Sequence, residues 1–420
     1  MSYQRFLKPK IYTDNINWLL SNGYMSLTDI ITNDSLSFAS GSSLYELFDM
    51  RPSNIQTVTA NGQNGALEIR INTQTETNSE QDGNFIAILG HNFEDAGAKM
   101  TLLSDDSSSF LSPHSSSRTV LDLTNVVNMA DQADTASGAT VNDDTLAPSG
   151  NGVSAADTTL TVNDGTKVRA GDFVKINSEI LYVEAVSSNN LTVDRGVGGT
   201  SAAPHTNNTA LNFTGNTTFP ANGWSLATFT NTTDNQYFKI IIQPDGNGAD
   251  TFSADLKIGA ILIGETYTFP TSPDLSITKS FSFDGLEFNE SVGGQVYANT
   301  PYLKAPNWFL EPFATGTGST ADNRGKTGRM NLSMNYSYLD DTDAYLENLH
   351  GGSSVATSNT LYSNLISKTQ NGMHPMLFQY DSTVTTTLDA FLWCRLNNTP
   401  DFTQVSNKFW SVGIDLREEF

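Results

Sequence analysis

The chain is expected to be mainly β: a jelly-roll-like β-sandwich with an inserted small β-domain, followed by a tube-like β-domain carrying one or two short helices. Three observations carry the β reading. Ser, Thr, Asn, Asp and Gly abound while hydrophobic residues make up 38%, the composition of many short strands joined by turns. Apolar residues alternate with period two in "ALEIRI", "RMNLSMNYSYL" and "KFWSVGIDLREEF", so each covers a core on one side. "FIAILG", residues 85–90, is apolar on both faces, as a central strand of a sandwich is. At 420 residues the chain exceeds one ordinary core, since domains run to about 100 to 200 residues.

Taken in order, "TDNINWLLSNG" has a helical pattern in which Thr13 or Asp14 caps, Ile16, Leu19 and Leu20 share a face, and Gly23 stops the turn. It belongs to an N-terminal arm, residues 1–50. "ALEIRI", "FIAILG", "AKMTLL", "YFKIIIQ" and "DLKIGAILIGE" supply the strands of a split sandwich, residues 51–138 and 214–268. Between its halves, a Gly-Ser-Asp-rich linker precedes four short strands in "TTLTVND" and "GDFVKINSEILYVEAVSSNNLTVDRG". Residues 139–213 are therefore expected to form a small domain inserted into a surface loop, an insertion that loop-closure entropy tolerates.

Residues 269–420 make a third unit. "SITKSFSFDGLEFNESVGG" predicts strand, Asp284-Gly285 turn, strand. "RMNLSMNYSYL" places Met330, Leu332, Met334, Tyr336 and Tyr338 on one face. "DDTDAYLENLHGG" and "TSNTLYSNLISKTQNG" are helical patterns, and Trp410, Val412, Ile414 and Leu416 alternate in the last strand.

The 22 Lys and Arg against 45 Asp and Glu give a formal charge of -23, a field that repels phosphate backbones and anionic lipid headgroups. No stable nucleic-acid binding and no membrane insertion are expected. The opening residues are too polar for a secretory h-region, and the single cysteine, Cys394, fits assembly in a reducing cytoplasm.

Catalysis would draw on His91, His114, His205, His350, His374, Cys394 or carboxylates. No two histidines stand at metal-ligand spacing, and neither a G-x-S-x-G elbow nor a P-loop occurs. Asp340, Asp341 and Asp343 read as a glycosidase pair or, more simply, as acids complementing a helix dipole. Asp245, Asn247 and Asp250 lie among glycines and are candidate calcium ligands, against the plainer reading of a solvated loop. "GVGGTSAAPH" reads as a turn. Cys394, between Trp393 and Arg395, reads as a buried thiol. In Gly90-His91-Asn92, His91 is either the working residue of a site or, with Asn92, a pin that bonds turn backbone; the second is favoured.

"NFIAILGHNFEDAGAKMTLL" followed by "YFKIIIQ...LKIGAILIGETY" resembles the discoidin-type, galactose-binding-like jelly roll found in bacteriophage tail proteins. Gly90, His91 and Asn92 match its strand end, Gly97 and Ala98 its next strand, and Gly259, Leu262 and Gly264 its closing run. "GDFVKINSEILYVEAVSSNNLTVDRGVGGTSAAPH" is similar to a small β-module of phage virion proteins. "SYLDDTDAYLENL", "HPMLFQYDS" and "FTQVSNKFWSVGIDLREE" resemble the C-terminal part of tail-tip and distal-tail proteins. Distal-tail proteins are usually shorter and lack the insert, and "YQRFLKPKIYTDNINWLLSNGY" matches no such pattern.

The resemblance implies a non-enzymatic virion subunit, assembled in the host cytoplasm, forming a cyclic hexamer at the tail end that joins tube to hub or fibres. No cofactor is expected, the less favoured calcium reading of Asp245, Asn247 and Asp250 apart. The alternative is a receptor-recognising tail protein that binds host glycan, for which Trp224 and Phe219 in "TFPANGWS" are candidate contacts, against core packing at a strand start. An envelope glycoside hydrolase ranks below both.

Overall fold

The structure, a computed structural model, describes residues 6–32, 36–73, 83–105, 119–121, 123–131, 135–143, 152–230, 236–246, 251–283, 286–298, 329–345, 358–384 and 390–419. The chain is mainly β, built from antiparallel sheets.

A sandwich forms where an eleven-stranded sheet faces a seven-stranded one. In the larger sheet Ala260–Thr268, Phe85–His91, Gly223–Thr228 and Thr124–Val127 run side by side. In the smaller, Ala98–Asp105, Tyr237–Pro244, Leu67–Asn72 and Ile30–Thr32 do so. Ile86 and Ile88 point between them and pack with Ile69, Ile71, Met100, Leu102, Ile240 and Ile242. Phe85, Ala87 and Leu89 point the other way into a second core, so every residue of Phe85–His91 is buried. The strand is apolar on both faces because it has an interior on each.

The larger sheet does not stop at residue 268. Lys10–Asp14 pairs with Ala260–Thr268 on one side and with Met376–Gln379 on the other. Beyond Met376–Gln379 the sheet continues through Phe391–Leu396, Phe409–Glu418, Arg329–Asp340 and Thr278–Ser282. The arm and the third unit expected from the sequence are thus parts of one sheet with the sandwich. Gly264 makes room for this: a Cβ there would stand 1.9 Å from the Thr13 carbonyl oxygen. The expected helix follows directly as Asn15–Ser21, with the Asp14 carboxylate accepting from the Asn17 N–H at 2.7 Å.

The sheet curls strongly. Trp224 and Phe391 lie on strands five steps apart in its order, about 24 Å if it were flat at ~4.8 Å per step. Their rings are 5.1 Å apart. The concave face therefore closes over Tyr12, Phe85, Leu89, Trp224, Leu226, Leu377, Phe391 and Trp393, a core shared by both halves. Around the C-terminal strands, Ile11, Phe269, Leu332, Tyr336, Phe378, Leu392 and Ile414 build a third core.

Strands between 135 and 213 pair only with one another among the described residues. Six of them form one sheet, and Gly152–Val153 with His205–Thr206 form a separate pair, over a core of Val153, Leu160, Val174, Leu181, Val183, Leu191 and Leu211.

Two expectations for the third unit need correction. Thr278–Ser282 and Phe288–Glu290 do not pair across the Asp284-Gly285 dipeptide, which lies outside the described residues. The first pairs with Arg329–Asp340 and the second with Val296–Ala298, around a turn in which Gly294, at φ 81°, donates to the Ser291 carbonyl. In Arg329–Asp340, Tyr338 is exposed and Leu339 buried. A register shift between Tyr336 and Leu339 inserts an extra residue and reverses the alternation.

Candidate functional site

Gly90-His91-Asn92 is a buried clasp. Gly90 has φ 66°, and a Cβ would lie 2.7 Å from the Pro52 carbonyl oxygen. The His91 ring is fully buried, its Nδ1 accepting from the Phe93 N–H at 3.3 Å. The proton therefore sits on Nε2, which donates to Ser225 Oγ at 2.8 Å, and Ser225 in turn donates to the Asn128 carbonyl. A catalytic Ser–His pair needs the opposite polarity, with Nε2 accepting. Burial drives the His91 pKa down to about 3, so the ring is neutral. Asn92 donates to the Asp255 carbonyl and accepts from the Lys257 N–H, 2.9 and 2.8 Å, pinning the Leu256–Ile258 strand.

Phe219 packs on this clasp, 5.3 Å from His91 and 4.8 Å from Phe93. It is buried, as is Trp224, so neither candidate glycan contact presents a face to a ligand. Asp245 donates its N–H to the Gly97 carbonyl. Asn247 and Asp250, the other candidate calcium ligands, lie outside the described residues, as do His114 and His350. No group of three His, Cys, Asp or Glu able to hold a metal occurs among the described residues. Asp340 caps the Asp341–Ala344 turn through the Thr342 N–H and hydroxyl. His374 contacts Ser21 at 3.1 Å, and burial, then Arg395, lower its pKa. The Cys394 thiol is buried, and burial, then Glu418 and Glu419, raise its pKa.

Sequence reasoning missed two ionic clusters in the 135–213 region. Glu179 accepts from Arg195 Nε and Nη2 at 2.7 and 2.9 Å, from His205 Nε2 at 2.7 Å, and from the Gly196 and Ala203 amides. "GVGGTSAAPH" is thus a loop wrapped round a buried carboxylate. Burial alone would raise the Glu179 pKa, but the Arg195 and His205 bonds, the Ala203 amide and the Arg195 charge hold it at about 2. The second cluster fastens the region to the sandwich: Lys99 Nζ meets Asp172 Oδ1 at 2.8 Å, both side chains almost wholly buried. Gln243 donates to the Ala170 carbonyl, and Leu103 and Ile241 pack with Phe173, Tyr182 and Val197. The available signal was an acid, an Arg-Gly pair and a histidine within one short stretch of strands and turns, residues 179–205.

The exposed apolar surface is unevenly placed. Every large hydrophobic side chain that is exposed among the described residues lies at or before Tyr45 or at or after Leu275. The Phe288–Glu290 and Val296–Ala298 hairpin is exposed on both strands, presenting Phe288 at 65%, Val292 at 110%, Val296 at 60% and Tyr297 at 57%. Beside it in sequence, Thr278–Ser282 ends the large sheet and pairs on one side only among the described residues. Among the described residues its other edge offers a row of N–H and C=O groups, with Phe281 and Phe283 exposed. This edge and hairpin form the candidate functional site, a surface suited to pairing with another chain.

No family model matches the chain, and no curated protein matches it at a significant level.

Proposed function

We propose that the protein is a non-enzymatic structural subunit of a bacteriophage virion, a ring-forming component of the tail end that joins the tube to hub or fibres. The observation that carries this reading is the partition of its surface. The Phe288–Ala298 hairpin and the Thr278–Ser282 edge expose apolar side chains and, among the described residues, open backbone groups, whereas residues 51–268 expose no large hydrophobic among the described residues. Large exposed patches of this kind mark protein contacts, and a strand edge recruits a neighbour through main-chain bonds. The motif resemblances in "FIAILGHNF", in the insert and in the closing strands supply the virion context. The acidic charge of -23 suits a ring through which DNA slides without adhering.

Mass photometry of the purified chain over a wide concentration range tests the proposal. A closed cyclic oligomer, reduced to monomers by Phe288→Asp with Val296→Asp while the melting temperature stays constant, is the expected result. A strict monomer at every concentration, also absent from purified particles, overturns it.

A further inference from the structure

Four aromatic side chains from four separate elements converge at the rim of the C-terminal core. Tyr345 follows the Asp341–Ala344 turn, Tyr362 opens the π-helical Tyr362–Ser367, Phe402 opens Phe402–Ser406, and Trp410 belongs to Phe409–Glu418. Tyr345 is the hub: its ring centroid lies 5.6 Å from Tyr362 in a stacked arrangement, 4.4 Å from Phe402 and 5.6 Å from Trp410 edge-on. All four are half-buried. Among the described residues, no protein group bonds the Tyr345 or Tyr362 hydroxyl or the Trp410 indole N–H. An exposed carboxylate, Asp401, stands close enough to act on Tyr345: burial, then Tyr362, then Asp401 raise the pKa of its hydroxyl.

A satellite of the core accounts for the ring contacts, but it gives the two tyrosine hydroxyls and the indole N–H no protein partner among the described residues, and Asp401 acts on the Tyr345 hydroxyl. A sugar supplies such partners. A pyranose ring has an apolar C–H face that packs on an aromatic ring, and a rim of hydroxyls that bond to polar groups converging at the edge. We propose that Tyr345, Tyr362 and Trp410, with Asp401, form a binding site for a neutral saccharide. The aromatic rings take the C–H face, and Asp401 accepts from a sugar hydroxyl while the tyrosine hydroxyls and indole N–H orient its neighbours. The carboxylate and the acidic surface disfavour anionic sugars. This site lies in the C-terminal unit, away from Trp224 and Phe219, and does not depend on ring assembly.

Saturation-transfer NMR on the full chain with neutral oligosaccharides of glucose, galactose and N-acetylglucosamine, and a uronic-acid oligomer as control, tests it. Transfer from aromatic protons to a neutral sugar is expected, with none to the control. Tyr362→Phe with Asp401→Asn keeps the rings and the fold, and should weaken binding at least ~10-fold, the scale of losing a charge-assisted hydrogen bond. No transfer at roughly 10 mM sugar, above the range of weak sites, overturns the proposal. So does binding that the double variant leaves unchanged, or a double variant that alters oligomer mass in place of sugar binding, which would mark the rim as a subunit contact. Loss of the ring with sugar binding intact would count against the assembly reading alone.

Discussion

The 135–213 region and the C-terminal strands solve the same problem, closing a small β core, in opposite ways. The first places its charges inside, around Glu179, and keeps its large hydrophobics off the surface. The second buries its apolar residues in two cores and still leaves Phe281, Phe288, Val292, Val296 and Tyr297 in solvent. The first region directs its charges to its own interior and to the Lys99–Asp172 contact with the sandwich. The second leaves aromatic and aliphatic side chains exposed among the described residues, and there the proposed assembly contact lies.

Breaking the polar interior should have the largest effect. Arg195→Met leaves the Glu179 carboxylate buried without its bidentate partner, and removing one member of a buried pair costs about 3–5 kcal/mol. Hydrogen exchange should report the loss within 135–213 while Phe85–His91 stays protected. Glu179 is held at about 2, below its ordinary 4.5. Its contribution is therefore complete above about pH 4.5 and lost as pH falls towards 2, and the variant should lack that limb in acid titrations followed by circular dichroism. Lys99→Met comes next, because it strands Asp172 in the contact between insert and sandwich. A loss of ~3 kcal/mol in urea denaturation is expected, with most of it recovered by adding Asp172→Leu.

His91→Gln should cost less, about 1–3 kcal/mol, through the bonds to Ser225 and the Phe93 amide. Its pH signature is sharper than its size. The folded pKa of about 3 lies below the ordinary 6.5, so the wild type is stable above pH 6.5 and loses ~1.4 kcal/mol per pH unit as pH falls towards 3. The Gln variant should show a flatter profile over that window. At the other end of the scale, Val296→Asp changes an exposed residue and should alter stability by under ~0.5 kcal/mol, while the oligomer mass falls. A large drop in its melting temperature would mean that the hairpin is part of the fold and not a contact surface.

The two-sided character of "FIAILG" was legible because an apolar residue at every position has only one explanation in a strand of this length. The Asp14 cap and the final alternation of Val412, Ile414 and Leu416 were legible for the same local reason. What could not be read locally was pairing. Lys10–Asp14 gives no hint of partners some 250 and 370 residues away, and the Asp284-Gly285 dipeptide advertised a hairpin that forms instead at Gly294. A single extra residue near Tyr338 inverted an otherwise clean pattern. For Trp224 and Phe219 the sequence left core packing and glycan contact both open, because an aromatic in a Gly-Asn-rich stretch looks the same whether it faces solvent or core; both are buried, the plainer of the two readings.

The place of Lys10–Asp14 has a consequence for synthesis. One of its partners, Met376–Gln379, is made some 370 residues after it. Contacts of such long sequence separation form late, so a nascent chain cannot join the two parts of the large sheet until Met376–Gln379 has emerged. A chain cut short before Met376 cannot close the large sheet, and its outer edge and hairpin are then left without that support.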